Sequence, residues 1–383
     1  MKIAINALSA RVGSGPTFFN NFLPALMAND HHNEYCVILG EAQTRDLVEL
    51  PERLEQRIIK HVPQNPIARV LWEQMVLPLY LRKWRIDLLY STGNITSLLA
   101  ACDTVVVFTN SNPFSPLQLD WSGLDKIKHL LLRQFSKLSA WKAEKVIFIS
   151  ENSRDLICRR LSMPAAKTDV IYYGWTPFQQ SSANGFAHLD DYILFVSVLM
   201  PHKNIEKLMR AFDLLVERHK YPGTLAIVGS VVSEKYYRRL LEVAETLKHR
   251  KQIHFTGRVT NEELAAFYKH ARLFVLPSVE ETLGIPLQEA MGWGVPIATA
   301  DCRLSQGNEA CFNPFREICG PAADYFNPFD EASICDSMER LLSDADYRRR
   351  LAAMGKERVK QFTWDSTARA TLAIFEQLGE NGH

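Results

Sequence analysis

The sequence predicts an α/β protein made of two doubly wound parallel-sheet domains in tandem. Its 383 residues exceed what one hydrophobic core usually serves, so two domains of roughly 150–200 residues are expected. Short apolar runs alternate with helical patterns along the chain, which is typical of parallel sheets covered by helices. The alternation stops once, in a segment rich in Pro, Gln, Ser, Ala and Gly, and then begins again.

Six apolar runs in the first half predict the strands of the first domain, over residues 1–176. They are 2–6, 35–39, 88–90, 104–108, 146–150 and 168–172. Residues 177–190 have no periodicity of their own and are predicted to be the linker. Five further runs predict the sheet of the second domain, over residues 191–362: 192–198, 225–228, 252–255, 273–276 and 296–299. Ligands of such sheets bind beyond the carboxyl ends of the strands, so two facing sheets would hold a substrate in the cleft between them.

Composition excludes several classes of protein. A formal net charge of +1 provides no global field to attract nucleic acid. The chain enters a strand at residues 2–6 without a leader pattern, and no apolar stretch approaches the roughly 18 residues of a membrane span, so we expect a cytoplasmic protein. The seven cysteines include no Cys-x-x-Cys pair and predict reduced thiols. The histidines lack metal-ligand spacing, so no metal site is expected.

The segment 277–296 carries the most informative motif. Gly284 allows a turn, Pro286 suits the first helical position, and Gly294 suits the end of a helix. Backbone N–H groups at residues 283–287 would then point outward, where a diphosphate can bind. Glu281 and Glu289 are predicted to face one pocket, where carboxylates accept hydrogen bonds from sugar and ribose hydroxyls. Alone, this spacing is weak evidence, because surface helices often carry such pairs.

This segment resembles the donor-site signature of family-four retaining glycosyltransferases of the GT-B type. The signature runs Pro-Ser, Glu, Gly-Leu-Pro or similar, Glu-Ala-Met and Gly-x-Pro, and nearly every element occurs here in order. Thr282-Leu283 stands where the family usually has Gly-Phe. The resemblance implies that Glu281 binds the sugar hydroxyls and Glu289 the ribose hydroxyls. Donor contacts are also implied for the backbone of four residues: Thr282, Leu283, Gly284 and Ile285.

Two more segments resemble the family and add donor-site residues. Residues 193–204 resemble a strand and loop ending in Lys-Asn, which implies that Lys203 binds the donor diphosphate. The Arg that many relatives place five or six positions earlier is replaced by Val198, so His202 or Arg258 is expected to assist Lys203. Residues 253–264 resemble the segment whose backbone, here at Arg258 and Val259, lies against the nucleotide base.

The N-terminal half gives weaker signals. Gly15 lies in a Gly-x-Gly loop after the first strand, and it either admits a donor phosphate or simply makes a tight strand-to-helix turn. Thr109-Asn110 occupies the position of the family's His-Asp or His-Asn. Asn110 can hydrogen-bond the transferred sugar but cannot act as a base. Retention is compatible with this substitution, because the leaving phosphate of the donor can accept the proton of the acceptor hydroxyl.

Residues 126–145 predict a basic amphipathic helix with apolar residues at helical spacing. Its cations are Lys126, Lys128, Arg133, Lys137, Lys142 and Lys145, and its apolar residues are Ile127, Leu130, Leu131, Leu138 and Trp141. One interpretation places this helix on an anionic membrane surface, near a lipid-linked acceptor. The other is a helix whose apolar face joins the core and whose charged face is solvated.

The resemblance as a whole implies a metal-independent glycosyltransferase with no permanently bound cofactor. The first domain would bind the acceptor, residues 363–383 would cross back onto it, and the second domain would bind the donor. UDP-glucose or another UDP-sugar is the first expected donor and GDP-mannose the second, with a saccharide or lipid-linked saccharide as acceptor in bacterial polysaccharide biosynthesis. A nucleotide-sugar-binding protein without turnover is an alternative. A Rossmann oxidoreductase is disfavoured because the chain lacks Gly-x-Gly-x-x-Gly followed by an acidic residue.

Overall fold

The computed structural model describes residues 1–10, 14–41, 50–114, 123–177, 191–305 and 311–381. The chain divides into two compact units. The first comprises Met1–Gly174 together with Phe362–His383, and the second comprises Trp175–Gln361.

The first unit is a parallel sheet covered by helices. Its strands are β1 (Lys2–Asn6), β2 (Glu34–Gly40), β3 (Glu55–Ile59), β4 (Leu88–Thr92), β5 (Asp103–Phe108), β6 (Lys145–Phe148) and β7 (Thr168–Val170). Its helices are α1 (Ser14–Asn29), α2 (Pro66–Met75), α3 (Leu77–Lys83), α4 (Gly123–Lys142) and α5 (Glu151–Leu161), with the C-terminal helix of the chain described below. The seven strands pair in the order β3-β2-β1-β4-β5-β6-β7, and all pairs are parallel.

The second unit repeats this plan with six strands. They are β8 (Tyr192–Val196), β9 (Thr224–Val228), β10 (Ile253–Gly257), β11 (Leu273–Leu276), β12 (Ile297–Ala300) and β13 (Asp324–Phe326). The order is β10-β9-β8-β11-β12-β13, again with parallel pairs only. The helices are α6 (Ile205–His219), α7 (Glu234–Glu245), α8 (Asn261–His270), α9 (Ile285–Trp293), α10 (Phe315–Cys319), α11 (Glu331–Ser343) and α12 (Ala345–Val359).

These two doubly wound parallel sheets confirm the predicted fold class. Two strands were not predicted from the sequence, and both lie at sheet edges. In β3, the residues Glu55 to Arg57 are polar and largely exposed, so the strand lacks the apolar run of a buried one. β13 has only three residues.

The C-terminal helix α13 (Trp364–Asn381) packs against α1 in the first unit. An aromatic cluster forms this contact: the ring of Phe18 lies 4.4 Å from that of Tyr173 and 5.7 Å from that of Trp364. Gly174 lies so close to the start of α13 that a Cβ atom there would be 2.2 Å from the backbone nitrogen of Trp364. Only glycine therefore fits where the chain first passes this helix.

The prediction of reduced cysteines is wrong for one pair, because Cys302 and Cys311 form a disulfide. The prediction relied on the absence of Cys-x-x-Cys, whereas these cysteines are nine positions apart and their Cα atoms lie 5.2 Å apart in the fold. The other five cysteines are free thiols.

Candidate functional site

Two of the predicted donor-binding side chains, Lys203 and Glu281, form an ion pair. Lys203 ends a short 3₁₀ turn, Pro201–Lys203, in the loop after β8, and Glu281 lies in the loop after β11. Because β8 and β11 are parallel neighbours at the centre of the second sheet, the loops that leave their carboxyl ends meet. The two side chains are only 9% and 14% exposed, so their attraction is screened less than that of a surface pair.

Asn204 holds the loop of Lys203 in place. Its backbone is left-handed, with φ of 59°, a conformation that asparagine adopts more readily than most residues. Its side-chain amide donates to the carbonyl oxygen of Pro277 at 3.3 Å and to that of Pro328 at 2.7 Å. One amide group therefore connects the loops that follow β8, β11 and β13.

A second connection fixes the backbone that carries Glu281. The backbone N–H of Glu281 donates to the carbonyl of Phe312 at 2.9 Å, and the N–H of Phe312 donates to the carbonyl of Val279 at 2.7 Å. The amide of Asn313 donates to the carbonyl of Ser278 at 3.1 Å. The disulfide anchors the adjoining residue, Cys311. These hydrogen bonds were not predicted from the sequence, because residues 311–313 carry no motif that indicates a contact with the loop about 30 positions earlier.

The helix α9 begins at Ile285, one residue before the predicted first position at Pro286, and ends before Gly294 as predicted. Gly284 precedes it with φ of +90°, and a Cβ atom there would meet the ring of Phe315 at 3.0 Å, so both conformation and space favour glycine. Pro286 lies in the first turn, after Ile285, and Gly294 ends the helix with φ of +72°. Leu283 is buried and Thr282 is half-buried just before the helix. The N-terminal end of α9 therefore lies in the same loop as Glu281, where its dipole favours an anion.

Glu289 lies inside the second unit and has a different partner from Glu281. It is 8% exposed, and its Oε2 atom accepts a hydrogen bond of 2.7 Å from the hydroxyl of Tyr268 on α8. Burial raises the pKa of Glu289 to about 7, and the hydrogen bond from Tyr268 opposes this rise. Glu289 is thus a buried carboxyl group whose charge changes near neutral pH.

The structure gives the two proposed helpers of Lys203 different environments. His202 is 8% exposed, and burial, with a smaller effect of Lys203, lowers its pKa to about 3. His202 is therefore neutral near pH 7, so the expectation that it assists with positive charge is wrong. Arg258 is exposed and, with half-buried Val259, follows the edge strand β10, two strands from β8. A strand spacing of about 4.8 Å places that strand end on the order of 10 Å from the end of β8.

In the first unit, Asn110 follows β5 and is exposed. The side chain of Asn94 holds its backbone: Oδ1 accepts from the N–H groups of Thr109 and Asn110 at 2.9 and 3.1 Å, and Nδ2 donates to the carbonyl of Asn110 at 2.5 Å. Asn94, which sequence reasoning missed, therefore orients the loop that takes the place of the family's His.

Gly15 is the second residue of α1, where a Cβ atom would lie 2.9 Å from the Cα atom of Ala10. This close approach favours the tight-turn interpretation of Gly15, while Gly13 of the same loop lies outside the described residues.

The helix α4 turns its apolar face outward. The five apolar residues named above are between 38% and 57% exposed. The opposite face carries small, buried side chains: Ser136, Ser139 and Ala140 are each at most 1% exposed. Ser139 attaches this face to the domain, since its hydroxyl accepts a hydrogen bond of 3.0 Å from the N–H of Thr96. The interpretation of α4 as a helix with its apolar face in the core is therefore wrong.

The described part of the chain shows neither a cluster of metal-ligating side chains nor a membrane-spanning helix. No group of three or more His, Cys, Asp or Glu side chains within it could hold a metal ion. None of its helices is both long enough and apolar enough to cross a bilayer.

The chain is similar in sequence to known proteins. Residues 178–358 match the family described as Glycosyl transferases group 1, and residues 17–175 match Glycosyltransferase Family 4. The serotype-specific mannosyltransferase WbdA of Escherichia coli is 31% identical over 63% of this chain and 28% of its own length. O-antigen chain mannosyltransferase B, also of Escherichia coli, is 27% identical over 62% of this chain and 61% of its own length. The matched region thus spans less than two thirds of either relative.

A solved structure confirms the fold over nearly the whole chain. Anabaena HepE in complex with UDP-glucose matches with a TM-score of 0.72 and 18% identity, covering 98% of this chain and all of that one. At this identity the likeness concerns the fold alone. Together, the two family matches, the paired parallel sheets and the motif around Glu281 show that the chain belongs to glycosyltransferase family four, of the GT-B type.

Proposed function

We propose that this protein is a retaining glycosyltransferase that moves a hexose from a nucleotide-diphosphate sugar to a hydroxyl group of a saccharide or lipid-linked saccharide. The observation that carries the proposal is the buried Lys203–Glu281 pair beside the N-terminal end of α9. A cation, a carboxylate and the N-terminal end of a helix are three kinds of group that suit a sugar diphosphate. They occur together at the carboxyl ends of the two central strands of the second sheet.

Each group has a role in donor binding. Lys203 exchanges its contact with Glu281 for the diphosphate, which releases the carboxylate of Glu281 to accept the sugar hydroxyls. The N–H groups of Thr282 to Ile285 contact phosphate or sugar. Glu289 accepts the ribose hydroxyls, and Arg258 and Val259 lie along the base.

The chemistry relies on the donor itself. The acceptor oxygen attacks the anomeric carbon on the face from which the diphosphate departs, so that one C–O bond forms as the other breaks. The proton of the acceptor hydroxyl passes to an oxygen of the leaving diphosphate. Lys203 and the N-terminal end of α9 stabilise the charge that develops there, and Asn110 hydrogen-bonds the sugar without acting as a base. This scheme needs neither a metal ion nor a permanently bound cofactor.

Two donors compete in this proposal. UDP-glucose or another UDP-sugar is the first choice implied by the family resemblance. GDP-mannose is the second, and it gains support because WbdA and O-antigen chain mannosyltransferase B are both named mannosyltransferases. The name of the second relative also supports a role in bacterial polysaccharide biosynthesis.

We also propose that the protein works in the cytoplasm at the inner surface of the membrane. The outward apolar face of α4 is flanked by lysine and arginine residues, as in helices that lie in the interface of anionic bilayers. Such contact would bring the first unit close to a lipid-linked acceptor.

The experiment is calorimetry and thermal shift of the purified protein with UDP-glucose, UDP-N-acetylglucosamine, GDP-mannose and NAD. Binding of one sugar nucleotide, weakened in Glu289→Ala and unchanged in the surface control Glu331→Ala, supports the proposal, because a ligand that binds the folded state stabilises it. Binding of NAD alone contradicts it. Sugar release from bound donor distinguishes a transferase from a binding protein without turnover.

A further inference from the structure

Tyr268 is a buried polar residue that the reaction scheme above does not use. It is fully buried on α8, and its ring packs against that of Phe274 on β11, with ring centres 5.7 Å apart. Packing of the ring fixes the direction of the hydroxyl group. That hydroxyl donates to Oε2 of Glu289 at 2.7 Å, and its only other recorded contact among the described residues is a 3.5 Å approach to the carbonyl of Pro286.

The hydroxyl of Tyr268 is not needed for packing. A phenylalanine fills nearly the same volume, and Phe267 beside it is also fully buried. A buried hydroxyl without a partner is unfavourable, so the tyrosine is favourable here only because Glu289 accepts its hydrogen bond. The hydrogen bond therefore holds the carboxyl group of Glu289 in place, whereas the packing of the core needs only the ring of Tyr268.

Glu289 has a second oxygen, Oε1. Within the described residues no protein group donates a hydrogen bond to it. One oxygen is thus occupied in a fixed direction, and the other remains for a ligand.

We propose that Tyr268 is a positioning residue for nucleotide-sugar binding: by occupying Oε2, it orients Glu289 so that Oε1, in the charged form, accepts the ribose hydroxyls of the donor. This inference rests on the proposed function and extends it to the control of one binding group.

The hydrogen bond also acts on the charge of Glu289. Burial, the larger influence, favours the neutral form, and Tyr268 favours the carboxylate. No charged group on the helices packed against α9 forms an ion pair with Glu289. Those groups are Glu262, Glu263, Lys269 and His270 on α8, Arg316 and Glu317 on α10, and Asp346, Arg348, Arg349, Arg350, Lys356, Glu357 and Arg358 on α12. Removal of the hydroxyl of Tyr268 therefore raises the pKa of Glu289.

The test is Tyr268→Phe, with donor affinity measured by calorimetry from pH 5.5 to pH 8.5 using the sugar nucleotide that wild-type protein binds. In wild type we expect affinity to rise with pH as Glu289 ionises. In the variant we expect this rise to move to higher pH, with affinity about tenfold lower at pH 6.5 and nearly unchanged at pH 8.5, because a one-unit rise in pKa lowers the charged fraction up to tenfold below the pKa. The KM for the donor should rise accordingly, with kcat little changed.

Glu289→Gln provides the control, because it keeps an acceptor for Tyr268 but does not titrate. Its donor affinity should not vary with pH in this range, and adding Tyr268→Phe should not introduce a dependence. An unshifted pH profile in Tyr268→Phe would overturn the inference, as would an equal loss of affinity at every pH. If wild-type protein binds no sugar nucleotide at any pH, it is the proposed function that fails, so the two failures are distinguishable.

Discussion

The two units use the carboxyl ends of their sheets in different ways. In the second unit the loops at these ends carry a largely buried ion pair, Lys203 with Glu281, and the helix that follows carries Glu289, which is hydrogen-bonded to Tyr268. In the first unit the loops after β4 and β5 carry amide side chains, Asn94 and Asn110. The long helix α4, which follows in sequence, exposes apolar residues. On the proposed function, this difference means that buried groups of fixed direction bind the small charged donor, whereas an exposed apolar surface contacts the membrane.

The largest expected effect is that of Lys203→Ala on the second unit. The change removes the cation proposed for the diphosphate and leaves the carboxylate of Glu281 largely buried without its partner. We expect kcat/KM for transfer to fall by about 10²–10³-fold, while vesicle binding through α4 stays unchanged. Steady-state assays of sugar transfer check this.

Lys207→Ala is the matched control, because Lys207 also pairs with a glutamate in the second unit but is 34% exposed. Its turnover should equal that of wild type. Turnover of Lys203→Ala close to that of wild type would remove Lys203 from the donor site.

The next effect concerns the stability of the second unit and its dependence on pH. The pKa of Glu289 rises on folding from its ordinary value of 4.5 to about 7, so the folded protein binds more protons than the unfolded chain between these values. This group's contribution to the free energy of unfolding is therefore full below pH 4.5 and is lost as pH rises through 7. Glu289→Gln, which does not titrate, should gain stability relative to wild type between pH 5 and pH 8, on the order of 3 kcal/mol.

Denaturant unfolding at the two pH values measures this gain, with Glu331→Gln as a surface control. An identical difference between Glu289→Gln and wild type at pH 5 and pH 8 would show that Glu289 does not titrate in this range. A gain would mean that a donor-binding group is retained at the expense of the stability of the free protein.

The smallest expected effect is on membrane contact by the first unit. We expect the double variant Leu130→Asp and Trp141→Asp to bind phosphatidylglycerol-containing vesicles at least about tenfold more weakly, because each side chain loses burial worth about 1.5–3 kcal/mol when complete. Its affinity for the sugar nucleotide in solution should be unchanged. Co-sedimentation with vesicles measures the first property and calorimetry the second.

The control changes Leu71 and Met75 to Asp, since these are similarly exposed apolar residues on α2 in the same unit. An equal loss of vesicle binding in both double variants would mean that α4 is not the specific contact. Equal binding of wild type to neutral and anionic vesicles would exclude a role for its cations.

The sequence predicted the central strands and the donor-loop motif because both are local patterns. Apolar runs mark buried strands, and Gly284, Pro286 and Gly294 mark the ends of α9 whatever lies around them. The orientation of α4 could not be predicted, because periodicity separates two faces of a helix without saying which one packs. Here a face of small side chains packs: Ser136, Ser139 and Ala140 are buried, and the hydroxyl of Ser139 accepts a hydrogen bond from the N–H of Thr96.

Contacts between distant segments escaped prediction for a similar reason. Tyr268 looks like any core aromatic until α8 and α9 are packed, and the link between Asn313 and Ser278 joins residues 35 positions apart. The disulfide likewise joins two cysteines nine positions apart, Cys302 and Cys311. Such pairs are set by tertiary structure, and no local pattern encodes them.

The amides of Asn204 and Asn313 have a consequence for how this site can change over generations. Both hold the donor loop by backbone carbonyls, so the frame around Glu281 does not depend on the side chains between Glu281 and Gly284. Leu283 is buried and Thr282 is half-buried, so Thr282 is the more accessible of the two positions that follow Glu281. On the proposed function, a lineage with this arrangement would change its sugar preference first at Thr282, while the carbonyl contacts keep the loop in place.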